Sequence, residues 1–115
     1  MNIIVLGAGA FGTAIANELS VNTENNAVLF SRNKEKVNEI NSHNTNKSCF
    51  PNKHLTKHLR ATFDKTEIQS ADVIFIALPS PVIVENLKSL KPYFSKCVLL
   101  VIFSKGLLDN GVTFV

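Results

Sequence analysis

Three glycines near the amino terminus are the first residues whose spacing points to chemistry. Gly7, Gly9 and Gly12 stand at the G-x-G-x-x-G spacing. They follow an unbroken apolar run, Ile3, Ile4, Val5 and Leu6, which reads as a strand buried on both faces. They lead into Thr13 to Leu19, which reads as helix with Phe11, Ile15 and Leu19 on one face. In that setting each glycine has a separate task. Gly7 permits a tight turn, Gly9 lets a pyrophosphate approach the backbone, and Gly12 lets helix and strand pack closely. The N–H groups and positive end of the helix then face the phosphates. The bland alternative is a glycine-rich turn with no ligand, but a plain turn does not need three glycines at this spacing.

A second place of interest is Ser31-Arg32, at the end of the next apolar run, Ala27 to Phe30. In a dinucleotide-binding unit, an Asp or Glu about 20 residues past the glycines holds the ribose hydroxyls of NAD. Arg32 stands there instead, and the next carboxylate is Glu35. A serine and an arginine can bind a 2′-phosphate, which favours NADP. An Arg32 that lies on the surface, or stacks on adenine without choosing between cofactors, is an equal alternative.

The elements that must position these residues alternate in type. Strand, helix and strand over the first 30 residues make a βαβ unit with a right-handed crossover. Asn33 to Ile40 reads as a second helix, with Asn33 as its N-cap and Val37 and Ile40 facing inward. Asn41 to His58 is polar, rich in Asn, Ser and Lys, and contains Pro51. It reads as a long loop of the functional or mobile kind. Leu59 to Phe63 reads as strand three, and Asp64 to Gln69 as a short helical connection. Ala71 to Leu78 is a clear strand ended by Pro79-Ser80-Pro81. Val82 to Leu90 suits a helix packed on the sheet, and Cys97 to Phe103 is strand five, followed by Ser104-Lys105-Gly106. The expected fold is a three-layer α/β Rossmann fold with a mostly parallel sheet in the order 3-2-1-4-5.

Composition narrows the class. The chain has 115 residues, 45% hydrophobic and 18% charged, which fits one globular domain with a core. The net charge of +3 includes a local cluster of Lys47, Lys53, His54, Lys57, His58 and Arg60. It reads as a solvated loop and helix end rather than a nucleic-acid patch, because no RNA-binding aromatic motif accompanies it. Cys49 and Cys97 form no C-x-x-C pair and read as free thiols of a reducing compartment, hence cytoplasmic. Cys49, His54 and His58 lack a fourth ligand and the paired spacing of a zinc site, so no metal is expected. No apolar run reaches the ~20 residues of a membrane helix, and no leader precedes the glycines.

Several segments together resemble bacterial NAD(P)-dependent glycerol-3-phosphate dehydrogenase. They are Gly-Ala-Gly-Ala-Phe-Gly-Thr-Ala at 7–14, Phe-Ser-Arg-Asn at 30–33, Asn46-Lys-Ser-Cys-Phe-Pro51, Pro79-Ser80 and Ser104-Lys-Gly-Leu107, spread over the whole chain. The resemblance implies interconversion of sn-glycerol 3-phosphate and dihydroxyacetone phosphate, feeding phospholipid synthesis. It implies NAD or NADP along Gly7, Gly9, Ala10, Phe11 and Gly12, with Phe11 packed against the cofactor. Ser31 and Arg32 then lie near the adenosine end, Pro79 at the cofactor, and Lys105 against both cofactor and substrate. NADPH is slightly favoured. The implied partner is a small phosphorylated triose or glycerol, with no nucleic acid, and a full-length protein that can assemble as a homodimer. Cys49 stands where the family usually has an aromatic residue, so no binding role is carried onto it. The family has a second, helical domain with its catalytic lysine and its substrate-phosphate clamp. The expectation is therefore that residues 1–115 are an incomplete N-terminal cofactor domain with no catalytic residue, inactive alone. Lys105 has a physical reading of its own. It follows strand five at the carboxyl edge, where an ammonium can neutralise a phosphate or polarise a carbonyl oxygen during hydride transfer. Against this stands a solvated turn lysine. The rival readings of the chain are a non-catalytic dinucleotide-binding module or fragment, and a ketopantoate-reductase-like enzyme, which Ser104-Lys-Gly-Leu speaks against.

Overall fold

The computed structural model describes residues 1–102, apart from Thr23, Pro79 and Lys96. Among these residues five strands, β1 (Asn2–Leu6), β2 (Asn26–Phe30), β3 (Arg60–Thr62), β4 (Val73–Ile76) and β5 (Leu99–Ile102), form one sheet. Its order is β3-β2-β1-β4-β5, the one expected of a Rossmann fold, and every pairing is parallel, as the alternation of runs predicts. Among the described residues three helices, α1 (Ala10–Val21), α2 (Lys34–His43) and α3 (Ser80–Leu90), supply the outer layers, with 3-10 turns at Lys65–Ser70 and Lys91–Tyr93. No helix among the described residues is long and apolar enough to cross a membrane.

The central strands β1, β2 and β4 are apolar apart from Asn2 and Asn26 at their starts, because both faces of the sheet are covered there. Ile4, Leu6, Val28, Phe30, Ile74 and Ile76 pack with Ile68, Ile83 and Leu90 in one layer. Val5, Leu29 and Ala61, one residue out of phase, pack with Ala16, Val37, Ile40, Leu55 and Leu59 in the other. This is the period-2 alternation of a strand expressed on two hydrophobic faces.

Helix α1 departs from its expected orientation. Its buried stripe is Gly12, Thr13, Ala16 and Ser20. Ile15 and Leu19 are only half-buried, and Phe11 is 56% exposed. The apolar spacing of Phe11, Ile15 and Leu19 therefore does not mark the inner face. A helix lying this close to its strand needs small residues at the contact, and the bulky side chains are displaced to its flanks.

Helix α2 behaves as predicted at its start. The Asn33 side-chain oxygen accepts from the N–H groups of Glu35 and Lys36, and Val37 and Ile40 are buried. It runs one turn further than its apolar pattern, ending where Asn44 adopts φ 56° and donates its N–H to the Ile40 carbonyl. Asn41, in that extra turn, donates to the Ala61 carbonyl at 2.9 Å and accepts from its N–H at 2.8 Å. The side chain thus occupies backbone groups of edge strand β3 that would otherwise be left for another chain.

Candidate cofactor site

The chain leaves β1 toward β2 and β3 on one side and returns to β4 and β5 on the other. The carboxyl ends of β1 and β4 therefore flank a topological switch point, where open α/β sheets hold their ligands. The glycine turn sits there. Gly7 has φ +107°, and a Cβ on it would lie 2.6 Å from the Ala77 carbonyl oxygen, so the turn requires glycine twice over. Its N–H donates to the Phe30 carbonyl at 3.1 Å, which binds the turn to the end of β2. A Cβ on Gly12 would fall 1.9 Å from the Gly7 carbonyl oxygen. Gly9 differs, because a Cβ there meets nothing within 4 Å and φ is an ordinary −76°. Two of the glycines are therefore demanded by the fold. The third, an N-cap with open space around it, is not demanded by packing.

Gly9 is the N-cap of α1. The helix has no side-chain cap and no acidic residue in its first turn, so its positive end faces outward uncompensated. Ala10 and Phe11 are exposed beside it. Ser31 is half-buried at the end of β2. Its N–H donates to the Thr62 carbonyl and its hydroxyl accepts from the Asn33 N–H, both at 3.0 Å. Ser31 follows Phe30, whose carbonyl accepts from the Gly7 N–H, so it begins next to the residue that holds the glycine turn. Arg32 is exposed and directed elsewhere, donating to the Ser89 hydroxyl of α3 at 2.7 Å. Pro79 and Lys105 lie outside the described residues.

The sequence reading missed the side chains that gather at the Ala8 carbonyl of this turn, among which Asn46 braces it. Asn46, in the polar loop, is fully buried. Its amide donates to the Ala8 carbonyl at 3.1 Å and to the Thr13 hydroxyl, itself fully buried, at 3.0 Å. Its oxygen accepts from Ser48 at 3.1 Å. Lys36 donates to the same Ala8 carbonyl from α2 at 3.2 Å, and the Cys49 thiol lies 3.8 Å from it. The loop is anchored at its near end by Glu39, whose carboxylate accepts from the Thr45 hydroxyl at 2.7 Å and the Lys47 N–H at 2.8 Å. Those two bonds, the Thr45 one first, hold the Glu39 carboxyl below its usual range. No periodic signal singles out Asn46; only the resemblance quotes its segment.

Other candidates lie apart from this turn. Lys47 and His54 line a groove of about 450 Å³ with Glu39, His43 and Thr45. Arg60 pairs with Glu67. Both cysteines are free thiols. Among the described residues no three His, Cys, Asp or Glu side chains converge as metal ligands.

A parallel sheet in this order, with a glycine turn opening a helix at the switch point, defines an α/β protein of the Rossmann type. Comparison with known proteins narrows this class. Residues 2–115 match the family described as NAD-dependent glycerol-3-phosphate dehydrogenase N-terminus, and the chain belongs to that family. It is 35% identical over 107 residues to the glycerol-3-phosphate dehydrogenase (NAD(P)+) of Neorickettsia sennetsu, covering 93% of this chain and 32% of that protein. It is 38% identical over 110 residues to that of Rickettsia typhi, covering 95% and 34%. The crystal structure of glycerol-3-phosphate dehydrogenase from Coxiella burnetii superposes with a TM-score of 0.80 at 27% identity, over 96% of this chain and 36% of that one. The chain thus spans about a third of the length of these relatives.

Proposed function

We propose that this chain is the dinucleotide-holding part of an oxidoreductase that interconverts sn-glycerol 3-phosphate and dihydroxyacetone phosphate with NAD(P)(H), for glycerophospholipid synthesis. The observation that carries the reading is Gly9, a glycine that the bare fold does not require, placed at the uncapped start of α1. Family membership supplies the reaction. In this reading residues 1–115 form the cofactor domain. The pyrophosphate rests on the turn at Gly7, Gly9, Ala10 and Gly12, and Phe11, more than half exposed, packs against the cofactor. Pro79 borders it. Two free thiols fit a reducing, cytoplasmic setting.

NADPH is the favoured cofactor. Ser31 and Arg32 take the 2′-phosphate at the end of β2, where neither presents a negative charge. Arg32 is held in the bare protein by a single exposed bond to the neutral Ser89 hydroxyl. A 2′-phosphate offers an anionic, bidentate partner, two bonds for one, and draws the guanidinium across. The bound nicotinamide supplies the hydride chemistry. Lys105 contributes a fixed positive charge where the carbonyl oxygen of the substrate becomes an alkoxide, a charge that matters most in the transition state. No general acid or base is assigned among residues 1–115.

The test uses the full-length protein. Dihydroxyacetone-phosphate-dependent oxidation of NADPH supports the reading. Tight NADPH binding without turnover on any triose phosphate would make the protein a non-catalytic dinucleotide module. Arg32→Ala should weaken NADPH more than NADH, and equal losses would assign Arg32 to adenine or to the surface.

A further inference from the structure

We infer that Lys36 is a specificity-determining residue of this site, adding a second positive charge beside Arg32 for a phosphate on the adenosine ribose. The inference rests on the dinucleotide reading above. Lys36 is placed by local geometry. Asn33 caps α2 directly after β2 and accepts from the Lys36 N–H at 3.2 Å, which fixes the first turn. From that turn the half-buried side chain reaches back to the glycine turn, with its ammonium 3.2 Å from the Ala8 carbonyl oxygen. The bond from the Gly7 N–H to the Phe30 carbonyl keeps the turn beside the end of β2. The ammonium is therefore placed at the turn that, in this reading, takes the pyrophosphate, from a helix that begins just past Ser31, where the ribose must lie.

The fold does not need a lysine there. A carbonyl oxygen has two lone pairs, and the buried Asn46 amide and the Cys49 thiol already address Ala8 from the opposite loop. A neutral or apolar side chain could line this spot without leaving Ala8 unsatisfied. An ammonium carries three donors, and the Ala8 carbonyl takes one. Among the described residues no carboxylate pairs with it; the ion pair there is Arg60 with Glu67. The neighbouring cations are turned away. Arg32 lies on Ser89, and Lys34 sits 5.3 Å from the centre of the Phe63 ring. Lys36 is thus a half-buried cation, pre-positioned at the turn, that the turn does not require.

The experiment measures NADPH and NADH dissociation constants of the full-length protein and its Lys36→Met and Lys36→Arg variants, at two salt concentrations. Lys36→Met should weaken NADPH about tenfold relative to NADH, the scale of one charge-assisted contact. The effect should shrink at high salt, melting should change little, and Lys36→Arg should restore the preference. Equal weakening of both cofactors would make Lys36 a structural strut and overturn the inference. So would an unchanged NADPH-to-NADH ratio while Arg32→Ala alone shifts it, with the dinucleotide reading left standing. A wild-type protein that binds neither cofactor would overturn both together.

Discussion

Replacing Gly12 and Gly9 separately by alanine tests whether fold and ligand make different demands on the same turn. A Cβ at Gly12 lies 1.9 Å from the Gly7 carbonyl oxygen, whereas real Cβ contacts are essentially never under 3.0 Å. Helix α1 must therefore withdraw by at least about 1 Å, since the clashing atom is backbone and cannot swing aside. Overpacking costs about 1–3 kcal/mol, and a clash with backbone that cannot swing aside belongs at the upper end, about 2–3 kcal/mol, offset in part by the ~1 kcal/mol gain of alanine over glycine inside a helix. A net loss of roughly 1–2 kcal/mol in urea unfolding is expected, with weakened dinucleotide binding because the first-turn N–H groups move too. Gly9→Ala inverts the pattern. Its Cβ meets nothing within 4 Å and its backbone is extended, so stability should change by less than about 1 kcal/mol. In the proposed reading the methyl group nonetheless occupies the space through which a pyrophosphate reaches the turn. Losing one charge-assisted bond there weakens binding by roughly ten- to a hundredfold. Calorimetric titration with NADPH beside urea unfolding separates the two effects. A Gly9→Ala protein that binds as wild type would refute the assignment of the turn to a ligand. A Gly12→Ala protein of unchanged stability would refute the steric account.

Asn46→Ala removes a fully buried amide and leaves the Thr13 and Ser48 hydroxyls without that partner. Urea unfolding should show a loss of about 2–4 kcal/mol, and a loss under 1 kcal/mol would mean that the 44–50 loop does not brace the turn. Lys105→Ala should lower kcat/KM of the full-length enzyme on the order of a hundredfold, with NADPH affinity changed less; near-normal kcat/KM would leave it a turn lysine. Acid should destabilise the domain by a defined route. Thr45 lowers the Glu39 carboxyl, Thr66 the Asp64 carboxyl, and Arg60, then Thr62, the Glu67 carboxyl. Each contribution is complete above the unfolded carboxylate range near pH 4 and is lost as pH falls through the lower folded values. Unfolding midpoints measured from pH 6 to pH 2 should decline below about pH 4, and Glu67→Gln should flatten part of that decline.

The strands, the place of the glycine turn and the Asn33 cap were legible in the sequence because each depends on neighbours within a few residues, and the strand order followed from the Rossmann class that the glycine turn marks. Apolar runs mark strands that both faces of the sheet will cover. Glycines at fixed offsets mark a turn, and an asparagine before a helical pattern marks its start. What lay beyond the sequence depends on residues brought together across the fold. The inner face of α1 follows from how closely that helix approaches β1, so the small residues Gly12, Thr13, Ala16 and Ser20 are buried while Phe11 is exposed. Asn46 and Lys36 come from a loop and from a second helix, and they meet at one carbonyl that neither adjoins in the chain. The sequence placed Arg32 at the end of β2, but its contact with Ser89, 57 residues away, exists only once α3 has packed on the sheet. Hydrogen bonds between distant segments leave no period in a sequence, because they depend on direction and distance in space rather than on spacing along the chain.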